Sequence, residues 1–224
     1  MIKISPSALA CDFAHMADDI NRVEEAGVEY LHLDIMDGSF VPNFSFGNPV
    51  MQAIRPLSRL VFDTHLMIQE PIRYIETFVH AGADIITIHY EACQDENEVR
   101  ATLEKIHSFG IRAGISVKPK TKTVKIAPFS DLVDLILIMS VEPGFGGQAF
   151  MPEALPKLAE ARMIADSADH PIEIEVDGGI SPKNAAAVIA AGADVLVAGS
   201  SIFHADDIRE AVYRLRACEK NPLC

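Results

Sequence analysis

The chain has 224 residues, a length that suits a single α/β domain. Apolar residues make up 49% of it, which is enough to bury a sizeable core. The formal net charge of −13 argues against a general nucleic-acid binder, which needs a basic face. It does not exclude an anionic substrate, because backbone N–H groups at helix starts can hold a phosphate without any lysine.

Short apolar segments alternate with amphipathic segments along the whole chain, with no linker or low-complexity run between them. The apolar segments are rich in Ile, Val and Leu on both faces, as strands of a buried parallel sheet are. They predict strands at residues 2–7, 29–34, 60–66, 84–89, 112–117, 133–140, 172–176 and 194–198. The amphipathic segments predict helices at residues 12–26, 70–81, 95–109, 153–168, 183–191 and 205–218.

The first predicted helix, residues 12–26, has the clearest helical pattern. Asp12 is placed to cap its start, and Gly27 is placed to end it. Apolar residues recur on one face of the segment, at Phe13, Met16, Ile20 and Val23. We therefore expect this face to pack against the strands.

Eight strand–helix alternations in a chain of this length favour a closed (β/α)8 barrel, the TIM-barrel architecture, formed by residues 1–224 as one domain. The alternative is an open doubly wound sheet of six to eight strands. No G-x-G-x-x-G follows the first predicted strand, which counts against that alternative.

Polar side chains collect where the predicted strands end, at the edge where barrel enzymes build their sites. His32 and Asp34 are two residues apart, so their side chains point to the same face of the second strand. If that face is the barrel lumen, His65 and Asp177 can converge on the same point. Two imidazoles and two carboxylates suit Zn²⁺, Mn²⁺, Fe²⁺ or Co²⁺. The alternative is that both histidines are ordinary core residues with hydrogen-bond partners.

Glycines are concentrated after the sixth, seventh and eighth predicted strands. The segments are 144–147, 178–179 and 199–200, the last ending in serine. Glycine lets the backbone approach a ligand closely, and the loops after the last two strands are the usual phosphate site of such barrels. We therefore expect a phosphate site here, although the same glycines could merely shape tight turns.

Three methionines follow or end predicted inner strands, at Met36, Met67 and Met139. Methionine usually fills gaps in a core, and that is the default interpretation. The functional alternative is a polarisable, non-ionisable floor beneath a reacting carbanion.

The cysteines and the N-terminus point to a reducing, cytoplasmic compartment. The four cysteines form no C-x-x-C pair, and a chain of this size needs no disulfide, so we expect free thiols rather than a Cys218–Cys224 bridge. The first residues lack the order of a signal peptide, and no apolar stretch reaches the ~18–20 residues of a membrane helix.

Six segments, in order along residues 4–203, are similar to signature segments of the ribulose-phosphate 3-epimerase family. They read ISPSALACDF, LHLDIMDGSFVPNFSFG, DTHLMI, MSVEPGFGGQAF, IEVDGGI and VAGSSIF. The resemblance implies a (β/α)8 barrel that interconverts D-ribulose 5-phosphate and D-xylulose 5-phosphate with one divalent metal ion, zinc being favoured over iron, manganese or cobalt. It also implies a homo-oligomer with a sugar-phosphate substrate.

The resemblance assigns a role to each matching residue. The metal ligands would be His32, Asp34, His65 and Asp177, and the two aspartates would also be the acid–base pair. The substrate contacts would be Ser7, His65, Gly144, Phe145, Gly146, Gly147, Asp177, Gly178, Gly179, Gly199 and Ser200. Met36, Met67 and Met139 would form the apolar floor.

One departure from the family pattern leaves the substrate open. Ser39 stands where family members often carry histidine, so an allulose-6-phosphate 3-epimerase is the alternative. Two further alternatives use the same scaffold. A decarboxylase would need a lysine among the strand-end acids, and the second and third strand ends offer none. A non-catalytic phosphosugar sensor would not need both Asp34 and Asp177.

Overall fold

Eight parallel strands form a ring within residues 1–219, the part of the chain that this computed structural model describes. The strands are β1 (Lys3–Pro6), β2 (Tyr30–Met36), β3 (Val61–Met67), β4 (Ile85–His89), β5 (Arg112–Val117), β6 (Leu135–Met139), β7 (Glu173–Asp177) and β8 (Val195–Ala198). Each pairs with its sequence neighbour, β8 pairs with β1, and a parallel bridge between Ser7 and His32 joins β1 to β2. The predicted (β/α)8 barrel is confirmed, and the open sheet is excluded.

The helices surround this ring. They are α1 (Met16–Glu25), α2 (Asn48–Ile54), α3 (Ile75–His80), α4 (Glu96–Ser108), α5 (Ala154–Asp166), α6 (Pro182–Ala190), α7 (Ser200–Phe203) and α8 (Ile208–Ala217). Short 3₁₀ turns occupy Ala8–Ala10, Phe13–His15, Arg55–Leu57, Pro71–Arg73, Tyr90–Ala92 and Thr123–Phe129. The last of these takes the place of an α-helix between β5 and β6, because Pro128 inside the segment has no N–H to donate.

The prediction for the first helix is correct at its C-terminal end, but α1 begins only at Met16, because Asp12 caps a separate 3₁₀ turn, Phe13–His15, and one apolar residue is misplaced. Asp12 Oδ1 accepts a hydrogen bond from Ala14 N at 2.9 Å, and Gly27 ends the segment with a φ of 79°. Phe13, however, is 56% exposed. It lies in a 3₁₀ turn before α1, and the changed residue period turns its ring away from the core and against Phe46.

The ring of strands separates the lumen on its inner side from the hydrophobic core between the strands and the helices. Leu31, Leu33 and Ile35 face outward and pack in the main hydrophobic core between the ring and the helices. His32 and Asp34, on the alternate positions, face the lumen as the spacing predicts. The lumen therefore holds polar side chains beside a second apolar cluster, which includes Ile85, Leu135 and Leu137, and its mouth at the carboxyl ends of the strands carries the candidate site.

Cys11 and Cys93 are free thiols, and burial raises the pKa of each to about 12. Cys224 lies outside the described residues, so the Cys218–Cys224 pairing is not tested.

Among the helices of residues 1–219, none combines the length and the apolar character needed to cross a bilayer.

Candidate active site

Four side chains from three strands converge at the mouth of the barrel. His32 and Asp34 come from β2, His65 from β3 and Asp177 from the end of β7. One ligand atom of each lies within 4.8 Å of the others. Both imidazoles are fully buried, while Asp177 stays partly accessible. The sequence analysis predicted this convergence.

Asp34 is the centre of the cluster. Its Oδ1 lies 3.4 Å from His32 Nε2 and 3.2 Å from His65 Nδ1, so one nitrogen of each ring is aimed at the same point. Its Oδ2 accepts a hydrogen bond from Ser7 Oγ at 2.7 Å. His32 Nε2 is buried without a hydrogen-bond partner. An orphaned imidazole nitrogen beside two carboxylates is the donor set that a divalent metal ion requires.

A second carboxylate orients His32 from below. Asp63 Oδ2 lies 2.6 Å from His32 Nδ1 and also accepts from Ser5 Oγ at 3.2 Å. This contact fixes one proton on Nδ1, so Nε2 would be the ligand atom once its own proton is lost, the arrangement found behind metal-binding histidines. Glu175 lies next to the pair, with its Oε1 3.9 Å from His32 Nδ1.

The two candidate acid–base residues have opposite electrostatic environments. Burial would raise the pKa of Asp34, but the adjacent His32 and His65 outweigh it and lower that pKa. Burial and then the charge of Asp34 raise the pKa of Asp177 to about 7. In the metal-free protein at neutral pH, Asp34 is thus ionised while Asp177 is partly protonated.

The two buried acids beneath the cluster, Asp63 and Glu175, also have pKa values that shift in opposite directions. Burial and the charge of Asp63 raise the pKa of Glu175 well above its usual value. Burial opposes ionisation of Asp63, but the positive charge and hydrogen bond of His32 lower its pKa. A neutral Glu175 beside an ionised Asp63 keeps two acids in the lumen without an unpaired second charge.

A cavity of about 310 Å³ lies directly above Asp34 and Asp177, a size that suits a small phosphorylated metabolite. Most of the predicted substrate contacts line it: Ser7, Gly144, Phe145, Gly146, Gly147, Gly178, Gly179, Gly199 and Ser200. His32 and His65 do not line it, because they lie below its floor. Met36, Met67 and Met139 also border the cavity at the ends of β2, β3 and β6.

The glycine loops on one side of this cavity pack tightly against each other. Gly178 has a φ of 125°, and a Cβ there would lie 2.8 Å from Val141 N. Gly179 has a φ of 64°, and a Cβ there would lie 2.5 Å from Phe150 N. Ser140 Oγ donates to Gly178 O at 2.7 Å and ties the two loops together. The glycines therefore shape the loops as well as leaving room for a ligand.

Five site residues were not singled out from the sequence: Ser5, Asp63, His89, Glu91 and Glu175. Three of them precede a predicted site residue by two positions and share its face, so the alternation that identified His32 and Asp34 also marks Ser5, Asp63 and Glu175. His89 ends β4, as other site residues end their strands. Glu91 follows in a 3₁₀ turn and carries no such signal.

Comparisons with known proteins agree with this geometry. The profile of the Ribulose-phosphate 3 epimerase family matches residues 3–203. The ribulose-phosphate 3-epimerase of Bacillus subtilis is 43% identical over 217 residues, which cover 96% of this chain and 99% of the relative. The enzyme of that name from Synechocystis sp. is 44% identical over 215 residues, covering 96% and 93%.

Solved structures support the fold alone. KGPDC from Streptococcus mutans superimposes with a TM-score of 0.73 over 100% of both chains, at 11% sequence identity. The expectation of an isomerase acting on carbohydrates rests instead on the sequence relatives and is confirmed by them. Since the profile covers nearly the whole chain and the relatives align end to end, this chain belongs to the ribulose-phosphate 3-epimerase family.

Proposed function

We propose that the protein interconverts D-ribulose 5-phosphate and D-xylulose 5-phosphate by inverting carbon 3. The observation that carries the proposal is the placement of two carboxylates, Asp34 and Asp177, on separate strands beneath one cavity. Inversion at a carbon next to a ketone needs a proton removed from one face and another returned to the opposite face. A single base on one side would only exchange the proton with retention.

In the proposed reaction Asp34 removes the carbon-3 proton, and the electron pair moves into an enediolate. Asp177 then delivers a proton to the other face, and the roles reverse in the opposite direction. Positioned proton transfer of this kind typically contributes ~10²–10⁴-fold. Ser7 Oγ holds Asp34 Oδ2 in place for the transfer.

The residues present fit one divalent metal ion. His32 Nε2, His65 Nδ1 and the carboxylates of Asp34 and Asp177 would hold it, and of the suitable ions we favour zinc over iron, manganese or cobalt. When bound, the ion would supply Lewis-acid stabilisation of the negative charge on the two enediolate oxygens.

The substrate phosphate would lie at the far side of the cavity from the carboxylates. There the backbone of Gly146, Gly147, Gly179, Gly199 and Ser200 surrounds the space. Backbone N–H groups can hold an anion without a lysine or arginine, even in a chain with a net charge of −13. Met36, Met67 and Met139 would support the enediolate with side chains that hold no exchangeable proton. We also expect a cytoplasmic homo-oligomer of single-domain chains, which stays a prediction.

The test is a coupled assay of purified protein with ribulose 5-phosphate, allulose 6-phosphate and unphosphorylated ribulose. We expect the highest kcat/KM with ribulose 5-phosphate and a large loss without the phosphate. Chelation should remove about one divalent ion per chain together with activity, and the ion should restore it. Full activity of rigorously metal-free protein would exclude the metal, and a preference for allulose 6-phosphate would change the substrate.

A further inference from the structure

The imidazole of His65 contacts a second buried imidazole. His65 Nδ1 faces Asp34 Oδ1 at 3.2 Å, and His65 Nε2 lies 2.9 Å from Nε2 of His89 at the end of β4. Both rings are fully buried, and their centroids are 5.0 Å apart. Neither the comparisons nor the proposed reaction gives His89 a role.

A metal ion bound to His65 Nδ1 would fix the direction of the hydrogen bond between His65 and His89. If His65 Nδ1 binds the metal ion, its proton must be on Nε2, which then donates to His89 Nε2. His89 must therefore accept at Nε2 and carry its own proton on Nδ1. That proton points towards Glu91, because His89 Nδ1 lies 3.4 Å from Glu91 Oε2. At this distance the two atoms form a close polar contact rather than a hydrogen bond, and both are buried without a hydrogen-bond partner among the described residues.

Glu91 is itself held in place. Its Oε1 accepts a hydrogen bond from Lys118 N at 2.8 Å, which anchors the carboxylate to the segment after β5. The His89 ring is fixed from another side by Phe40, whose ring centroid lies 4.9 Å away. The chain from His65 through His89 to Glu91 thus joins β3 to β4, and the bond from Lys118 N extends it to the segment after β5.

The two imidazole ligands differ in their support. His32 donates directly to the Asp63 carboxylate at 2.6 Å. His65 has no carboxylate at its Nε2 and reaches one only through a second imidazole. Each candidate ligand is thereby oriented by its own acid, one directly and one through a relay.

We propose that His89 and Glu91 are positioning residues, which fix the tautomer and orientation of His65 for metal binding. The proposal rests on the metal site of the proposed function. His89 makes the contact with the ligand, and Glu91 fixes the proton of His89. Neither residue touches the substrate cavity.

The test titrates Co²⁺ into the metal-free full-length protein and follows the visible absorption bands of the bound ion. His89→Leu removes the acceptor, while His89→Gln keeps an oxygen acceptor near the position of Nε2. Loss of such a partner typically weakens metal affinity ~10–100-fold, and we expect that loss and altered bands in His89→Leu. His89→Gln should recover most of the affinity, and Glu91→Gln should show a smaller loss.

Two controls separate positioning from packing. Ser116→Ala removes a buried hydroxyl at the residue paired with His89 on β5 and should leave Co²⁺ affinity unchanged. The thermal midpoint of each metal-free variant reports its folding. Unchanged affinity in His89→Leu overturns the proposal, as does an equal loss in the Leu and Gln variants, which would indicate packing alone. A wild-type protein that binds no Co²⁺ would instead refute the metal site itself.

Discussion

At the scale of single residues, Asp34 depends on Ser7. The Ser7 hydroxyl donates to Asp34 Oδ2 at 2.7 Å and fixes the carboxylate beneath the cavity. Hydrogen bonds to charged groups contribute ~1.5–3 kcal/mol, which corresponds to roughly 10–100-fold in rate if all of it acts on the transition state. A misplaced base lowers the rate strongly, because proton transfer depends on the orientation of the base relative to carbon 3.

Ser7→Ala should therefore lower kcat by about 10-fold or more, and the lost hydrogen bond to a buried carboxylate should lower the thermal midpoint as well. Steady-state kinetics with ribulose 5-phosphate measure the effect. Ser116→Ala, which removes a buried hydroxyl from another strand, is the matched control and should keep kcat. Equal kcat in the Ser7 variant and the wild type would show that Asp34 needs no support from this hydroxyl.

The same scale shows how far the sequence predicts the site. His32, Asp34, His65 and Asp177 were predictable because a strand has a residue period of two and the ends of parallel strands meet at one edge. The hydrogen-bond partner of each imidazole, in contrast, could not be predicted from the sequence. Whether His65 contacts a carboxylate or His89 depends on the distance between side chains on neighbouring strands, which the pattern along one strand does not contain.

At the scale of elements, the loops after β6 and β7 form one unit. Gly179 has a φ of 64°, and a Cβ there would lie 2.5 Å from Phe150 N and 2.8 Å from Gln148 O. Gly110, between α4 and β5, also has a positive φ of 76°, but a Cβ there would have no neighbour within 4 Å. Comparing an alanine substitution at each glycine therefore separates the cost of a left-handed backbone from the cost of steric overlap.

Gly110→Ala should cost ~1–2 kcal/mol of unfolding free energy from the left-handed backbone alone. Gly179→Ala should lose that amount and a further ~1–3 kcal/mol from overlap with the neighbouring loop. Urea unfolding of both variants measures the difference. Similar losses in the two variants would mean that the loop containing Phe150 moves aside readily and that the two loops are not one unit.

Element boundaries were predicted to within a few residues where apolar runs are bounded by glycine or by a cap, as at β5 and α4. Two helices were missed. α2 follows a long loop and begins at Asn48-Pro49, where proline starts a helix that the apolar pattern is too short to indicate. α7 has four residues, less than the length over which helical periodicity can be recognised.

At the scale of the whole molecule, ring closure creates the site. Residues separated by more than a hundred positions, such as Asp34 and Asp177, meet only because β8 pairs with β1 and β1 is bridged to β2. The buried lumen then holds Asp63 and Glu175, which lie two positions before His65 and Asp177 on the same faces of β3 and β7. The helices cover the outside, and the chemistry is confined to one end.

The central claim is that two carboxylates act on opposite faces of carbon 3, and hydrogen exchange in deuterated solvent tests it most directly. Each of Asp34→Asn and Asp177→Asn, with its metal content measured, is incubated with either epimer. Asp177→Asn should exchange the carbon-3 hydrogen of one epimer and form little of the other, and Asp34→Asn should show the opposite preference. If both metal-loaded variants exchanged both epimers equally, one base would be serving both faces and the two-carboxylate mechanism would be wrong.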